Sequence, residues 1–126
     1  ENDYSAASRD AVEKAGGVYE LRTYVAHPGK LARLNARFRD HTTRLFRKHG
    51  IRNVGYWTPF DMPEAGNTLV YLVQHASREQ ADASWMAFGR DPQWRKVARE
   101  SQVDGRILSK PPERIYLKPM AFSPLK

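Results

Sequence analysis

The chain has 126 residues, of which 40% are hydrophobic, so it is long enough for one domain with a real core. It has no cysteine, which excludes disulfides, thiolate metal ligands and a cysteine nucleophile, and fits either cytosol or periplasm. Lysine and arginine exceed aspartate and glutamate by 21 to 14, a net charge of +7, but the basic residues are scattered. We therefore expect a solvated basic surface, without a nucleic-acid partner. No apolar run approaches the ~20 residues of a membrane helix, so we expect no membrane partner either.

The domain is predicted to span residues 18–119. Residues 1–17 read as a polar tail or a short helix over 6–15 that ends at Gly16 and Gly17. Residues 120–126 read as a C-terminal tail. No apolar segment of a secretory signal peptide is present, so the compartment stays open.

The residues from Val18 to Val25 alternate in a way that predicts the first strand. The odd-numbered residues are suited to a core. The other side presents Glu20, Arg22 and Tyr24, a row of charge and phenol. Because Glu and Arg are rarely buried unless paired, this side either faces water or builds a polar pocket or interface.

A long amphipathic helix is predicted over 28–49, with Pro28 in its first position. His41 follows Phe38 by three residues and precedes Leu45 by four, which predicts that it lies on the core-facing stripe. An imidazole there would be able to transfer a proton near neutral pH, or it would only fill the core with its hydrogen bonds satisfied. His41 is the best catalytic candidate in the chain.

The remaining elements complete an alternating pattern. Strands are predicted over 54–58, 68–75 and 114–118, with a loop over 59–67. A second helix is predicted in two pieces, with Ser77 and Asp91 as their N-caps. The order is thus β-α-β-β-α-β, an α+β, ferredoxin-like fold in which the first and third strands of a four-stranded antiparallel sheet are central.

The third predicted strand is apolar on both sides, although helices would cover only one face of such a sheet. Soluble monomers avoid a large exposed apolar face. We therefore expect a homodimer in which two copies associate through their sheets.

Four stretches agree in order and spacing with a known family: YELRTY at 19–24, PGK at 28–30, VGYW at 54–57 and DPQW at 91–94. Over residues 18 to about 118 the chain resembles the NIPSNAP family. The resemblance implies the dimeric α/β-barrel superfamily, which includes cofactor-free monooxygenases, muconolactone isomerases, haem-dependent enzymes and members without a known reaction. The NIPSNAP family has no settled activity, although some members are linked to vesicle transport or mitochondrial signalling.

Most motifs that carry chemistry are absent, including His-Glu-x-x-His, phosphate-binding glycine loops and the Gly-x-Ser-x-Gly elbow. The four histidines are not spaced as a local metal site, so neither a metal nor a cofactor is expected. A bound haem would need a free histidine, for which His41 and His75 are the candidates.

A pocket in this fold is expected between the sheet and the helices or at the dimer interface. The side chains that would line it around His41 and bind a flat organic ligand are Arg22, Tyr24, Tyr56, Trp57, Tyr71 and Trp85. Alternatively, these residues fill the core and Arg22 pairs with Glu20 or a partner subunit. The sequence leaves open a ligand-binding protein or enzyme, a non-catalytic interaction module, and, on charge alone, a nucleic-acid binder.

Overall fold

A computed structural model describes residues 17–126, so the helix predicted over 6–15 lies outside the described residues. The elements follow in the order β1 (Val18–Val25), α1 (Leu31–Arg37), a π-helical turn (Phe38–Thr42), α2 (Thr43–Lys48), β2 (Arg52–Trp57), a short 3-10 turn (Ala65–Asn67), β3 (Thr68–His75), α3 (Arg78–Arg90), α4 (Pro92–Glu100) and β4 (Glu113–Leu117).

The sheet has four strands in the order β2-β3-β1-β4, and every neighbouring pair is antiparallel. The predicted ferredoxin-like α+β arrangement is therefore confirmed, with β1 and β3 in the centre. The second helix is divided into α3 and α4, as predicted, and both caps form: the backbone N–H of Gln80 donates to the Ser77 hydroxyl, and that of Gln93 to the Asp91 carboxylate.

The first helix begins three residues later than predicted. His27 to Lys30 form a turn closed by a hydrogen bond of 3.0 Å from the Lys30 N–H to the His27 carbonyl. Pro28 occupies the second position of this turn and Gly29, with φ of +82°, the third. Proline presets the first central angle and glycine supplies the positive φ, so Pro28 belongs to the turn and not to the helix.

The π-helical turn changes which side chains of the first helix face the core. Thr42 is buried, and its hydroxyl donates to the carbonyl of Arg37, five residues earlier, at 3.2 Å. His41 is exposed. The prediction that His41 lies on the core-facing stripe is wrong, because the wider turn rotates the residues after Phe38 relative to a regular helix.

The helices cover the side of the sheet that carries the charged row of β1. Glu20 contacts Trp85 of α3, and the ring of Tyr24 lies 5.8 Å from that of Phe38. The odd-numbered side of β1, which by composition is suited to a core, faces the other way. Among the alternatives for the charged row, the structure therefore supports a polar interior.

The core between helices and sheet is rich in aromatic rings. Tyr71 of β3 is fully buried and lies within 6 Å of four other rings, as measured between centroids. These rings belong to Tyr24, Phe38, Phe46 and Tyr56. The interior beside the central strands is thus filled by side chains, which displaces any open groove toward the edge of the sheet.

Candidate functional site

A buried polar network lies beneath α3. The Glu20 carboxylate is fully buried and contacts three groups: Arg22 Nη1 at 2.8 Å, His75 Nε2 at 2.8 Å and Trp85 Nε1 at 2.7 Å. Arg22 lies two residues along β1, on the same side of the strand as Glu20, and Trp85 comes from α3. Antiparallel pairing of Glu20 with Val73 places His75, two residues further along β3, on this same face.

Arg22 extends the network toward the centre of the sheet. Its Nη2 donates to the Tyr24 hydroxyl at 3.2 Å, and that hydroxyl shares a hydrogen bond of 2.9 Å with Tyr71. The guanidinium also lies over the Trp85 ring, 4.4 Å from its centroid. Each side chain of the hydrogen-bonded series that runs from Glu20 through Arg22 and Tyr24 to Tyr71 therefore has a polar partner.

The network sets the ionisation of its members. Burial raises the pKa of Glu20, but hydrogen bonds from His75, Trp85 and Arg22 outweigh it and lower the pKa to about 2. Burial lowers the pKa of Arg22, yet the nearby phenols and Glu20 more than offset this and raise it overall. Burial, above all, raises the pKa of Tyr71. At neutral pH, Glu20 and Arg22 are thus an ion pair beside a protonated phenol.

This ion pair is better suited to hold the fold than to react. A general acid or base works best when its pKa lies near the operating pH, and neither Glu20 nor Arg22 meets that condition.

Two buried atoms of the network, Arg22 Nε and His75 Nδ1, have no hydrogen-bond partner within residues 17–126.

An open groove lies nearer the sheet edge, between the first helix and β2. We call it the β2 groove; its volume is about 390 Å³. Its helix side is lined by Asn35, Phe38, Arg39 and Thr43. Its sheet side is lined by Tyr56, Trp57, Thr58 and Leu69.

The predicted site residues divide into three groups. Arg22, Tyr24, Tyr71 and Trp85 come together, as members of the buried network and not as the lining of an open pocket. Tyr56 stacks on Tyr71 at 5.1 Å and reaches the β2 groove, which Trp57 also borders.

His41 belongs neither to the buried network nor to the β2 groove. It lines a separate surface groove of about 260 Å³ together with Arg33, Asp40 and Glu100. Its catalytic role stays a prediction.

Sequence reasoning missed two members of the network as site residues. Glu20 was recognised only as a possible partner of Arg22, and His75 only as a possible haem ligand. The signal for Glu20 was its position beside Arg22 on one side of β1. The signal for His75 was its place at the end of β3, which the antiparallel register brings level with the start of β1.

Two kinds of feature are absent from residues 17–126. No group of three or more His, Asp or Glu side chains there is arranged to hold a metal ion. None of the helices in that range combines the length and apolar character needed to cross a membrane.

Comparison with known proteins supports the fold and family. A NIPSNAP protein of Burkholderia xenovorans, described as an uncharacterized NIPSNAP-like domain protein, superposes with a TM-score of 0.74 at 22% identity, covering 87% of this chain and 90% of that one. A NIPSNAP family protein of unknown function from Agrobacterium tumefaciens gives 0.73 at 24% identity, covering 87% and 94%. No functionally curated protein matches the sequence significantly. The NIPSNAP family model matches residues 19–124, and the chain therefore belongs to the NIPSNAP family.

Proposed function

We propose that the protein binds a small, flat organic ligand in the β2 groove. The observation that carries the proposal is a groove of about 390 Å³, a size typical of small-molecule sites, in which Phe38 and Tyr56 supply aromatic surface. Their ring centroids lie 5.5 Å apart, so the two rings form a continuous apolar wall. A flat ring system buries the most apolar area against such a wall.

Polar groups at the groove rim would orient the ligand. Asn35 and Thr43 offer hydrogen bonds, and Arg39 offers a positive charge that its exposed ion pair with Asp40 partly offsets. Among residues 17–126, the lining of the groove includes no carboxylate and no histidine, so it favours binding over acid-base catalysis. An enzymatic reaction would need a group from the ligand itself or from a second subunit.

The test uses anilinonaphthalene sulfonate, a flat, apolar and anionic fluorophore. Asn35→Trp fills the groove from an exposed position of α1, and Ala83→Trp places the same ring on the exposed side of α3, away from the groove. We expect saturable fluorescence enhancement with the wild type and Ala83→Trp, and its loss with Asn35→Trp. Equal binding by both variants would refute the site.

We propose further that the protein forms a homodimer through the sheet face opposite the helices, here called the far face. Ile115 and Trp57 are each 55% exposed on it, and Leu117 is 40% exposed. Leu21 and Leu72 lie between them as a directly paired row across the two central strands. Residues 124–126 lie beside Tyr19 and Gln74 at one corner, and the exposed apolar side chains of this face have no cover from the part of the chain that the structure describes.

Ile115→Lys tests the dimer because it places an unpaired charge on the part of the far face that the edge strand β4 contributes. Val103→Lys is the matched control, since Val103 is 80% exposed and lies outside the sheet. Native mass spectrometry and sedimentation at micromolar concentration should give a dimer for the wild type and the control. We expect Ile115→Lys to weaken association at least about tenfold, as a buried unpaired charge does.

A monomeric wild type would contradict the dimer and favour the alternative function, a non-catalytic interaction module whose contact surface is the far face. Native mass spectra of the same samples also report any organic molecule that the purified protein retains.

A further inference from the structure

Arg37 is a charged side chain in an unusual position. It is only 8% exposed, yet no ion pair joins it to a carboxylate within the described part of the chain. Its Nη1 donates to the Ser101 hydroxyl at 3.2 Å, and its Nε is buried without a hydrogen-bond partner among residues 17–126. Buried charges are otherwise paired or coordinated, so this guanidinium lacks the counter-charge that burial normally requires.

The Trp94 ring of α4 holds the guanidinium in place, with its centroid 5.1 Å from Arg37 Cζ. A cation over an aromatic face gains some stabilisation but is not neutralised by it. Burial lowers the pKa of Arg37, although arginine remains charged in proteins. Arg37 is therefore a positive charge without a direct ion-pair partner among residues 17–126, although it also borders the groove lined by Asp40 and Glu100.

A second groove, here called the Arg37 groove, opens beside this charge with a volume of about 350 Å³. Arg106 and Lys110 line it as two further cations, and the described residues contribute no carboxylate to its lining. The positive charge of Lys110 is partly offset, because carboxylate oxygens of Glu64 and Glu113 each lie 3.8 Å from its Nζ. The remaining positive potential is concentrated on Arg37 and Arg106.

Besides its cations, the lining of the Arg37 groove includes two polar side chains, Gln102 and Ser109, and a larger set of apolar ones. The apolar set is Trp94, Ala98, Leu108, Pro111 and Pro112. Rigid proline rings and an indole offer flat surfaces against which an aromatic or alicyclic body packs at small entropic cost. The groove thus combines a cationic end with apolar walls.

We propose that the Arg37 groove binds an organic anion, with a carboxylate or phosphate head group on Arg37 and Arg106 and an apolar body against Trp94 and the two prolines. Arginine suits both head groups because its planar fork can donate two parallel hydrogen bonds. This site shares no lining residue with the β2 groove, so the two proposals stand or fall separately.

The probes are benzoate, phenyl phosphate and benzamide. Their binding is monitored by the chemical shift of the Trp94 indole N–H in NMR titrations. Benzoate and phenyl phosphate distinguish the two head groups, and benzamide is the uncharged match of benzoate. We expect at least one of the two anions to shift the resonance saturably, and benzamide to bind at least tenfold more weakly. A dissociation constant in the millimolar range already corresponds to weak binding. If neither anion saturates the shift up to about 10 mM, the proposal is overturned.

Variants locate the binding. Arg106→Ala should weaken anion binding about two- to fivefold, as expected for an exposed charge, whereas Arg95→Ala removes an exposed arginine of α4 outside the groove and should leave binding unchanged. Arg37→Gln should weaken it at least tenfold, the loss expected for a charged hydrogen bond. If Arg37→Gln does not fold, the comparison of Arg106→Ala with Arg95→Ala decides. Equal affinity in these two variants would refute the site.

Discussion

The two faces of β1 differ in polarity, and the helices cover the more polar one, the opposite of what residue composition alone predicts. The face toward the helices carries the buried charge of Glu20 and the partly buried charge of Arg22, whereas the far face carries Leu21 beside exposed apolar neighbours such as Ile115. On the buried face, polarity is tolerated because each charge meets an opposite charge or a hydrogen-bond donor. On the far face, Tyr19 and Val25 are buried near the two ends of β1, whereas Ile115 and Leu117 of the neighbouring β4 are exposed within the described chain. Burial of charge thus depends on pairing, and the exposed apolar side chains are the observation on which the proposed homodimer rests.

Of the substitutions that test this comparison, Glu20→Gln should lower the free energy of unfolding the most. The substitution keeps the size of the side chain but leaves Arg22 as a buried charge without its counter-charge. We expect a loss of about 3–5 kcal/mol in the free energy of unfolding, the range typical of breaking a buried ion pair. Urea unfolding at neutral pH measures it. As a control, Glu113→Gln removes an exposed carboxylate from β4 and should cost less than about 0.5 kcal/mol; similar losses in both variants would contradict the role of the network.

Acid should weaken the buried face over a defined range of pH. The pKa of Glu20 is lowered to about 2 in the folded protein from an ordinary value of 4.5. The folded state therefore gains stability from the ionised carboxylate above pH 4.5, and loses it as the pH falls from 4.5 toward about 2. The difference in unfolding free energy between wild type and Glu20→Gln should be constant above that range and shrink within it. A difference independent of pH down to 2 would show that the carboxylate is not the stabilising group.

The smallest effect concerns two neighbours in the π-helical turn. His41→Ala removes an exposed side chain and should change the free energy of unfolding by less than about 0.5 kcal/mol. Thr42→Ala removes a buried hydroxyl that donates to the Arg37 carbonyl, and should cost about 1 kcal/mol or more. Thermal unfolding of both variants provides the comparison. The reverse order would mean that His41, and not Thr42, faces the core.

Local patterns were sufficient to predict most of the fold. Alternation located the strands, and the hydroxyl of Ser77 and carboxylate of Asp91 marked the starts of α3 and α4, because capping depends on residues only two or three apart. The order of the elements then fixed the sheet. The π-helical turn was beyond such reasoning, since its extra residue depends on packing against the sheet and leaves no marker in the spacing of Phe38, His41 and Leu45.

The site was predicted only in part for a related reason. Arg22, Tyr24, Tyr71 and Trp85 were predicted to line a pocket for a flat organic ligand; they come together in the structure as members of the buried network. The centre of that region, Glu20, is defined by contacts with His75 and Trp85, which are 55 and 65 residues away in sequence. Such contacts depend on strand register and helix placement. Alternation along β1 also could not decide which of its two sides the helices would cover.

The position of Trp57 gives the β2 groove and the far face a common boundary. Its indole lies against Gly55 so closely that a methyl group there would come within 2.8 Å of two ring carbons, and the same residue borders the groove. The proposed ligand site and the proposed dimer interface therefore meet at one side chain. If either ligand binding or self-association reorients the ring, the other must respond with the same coupling free energy, because linkage between two binding equilibria is reciprocal.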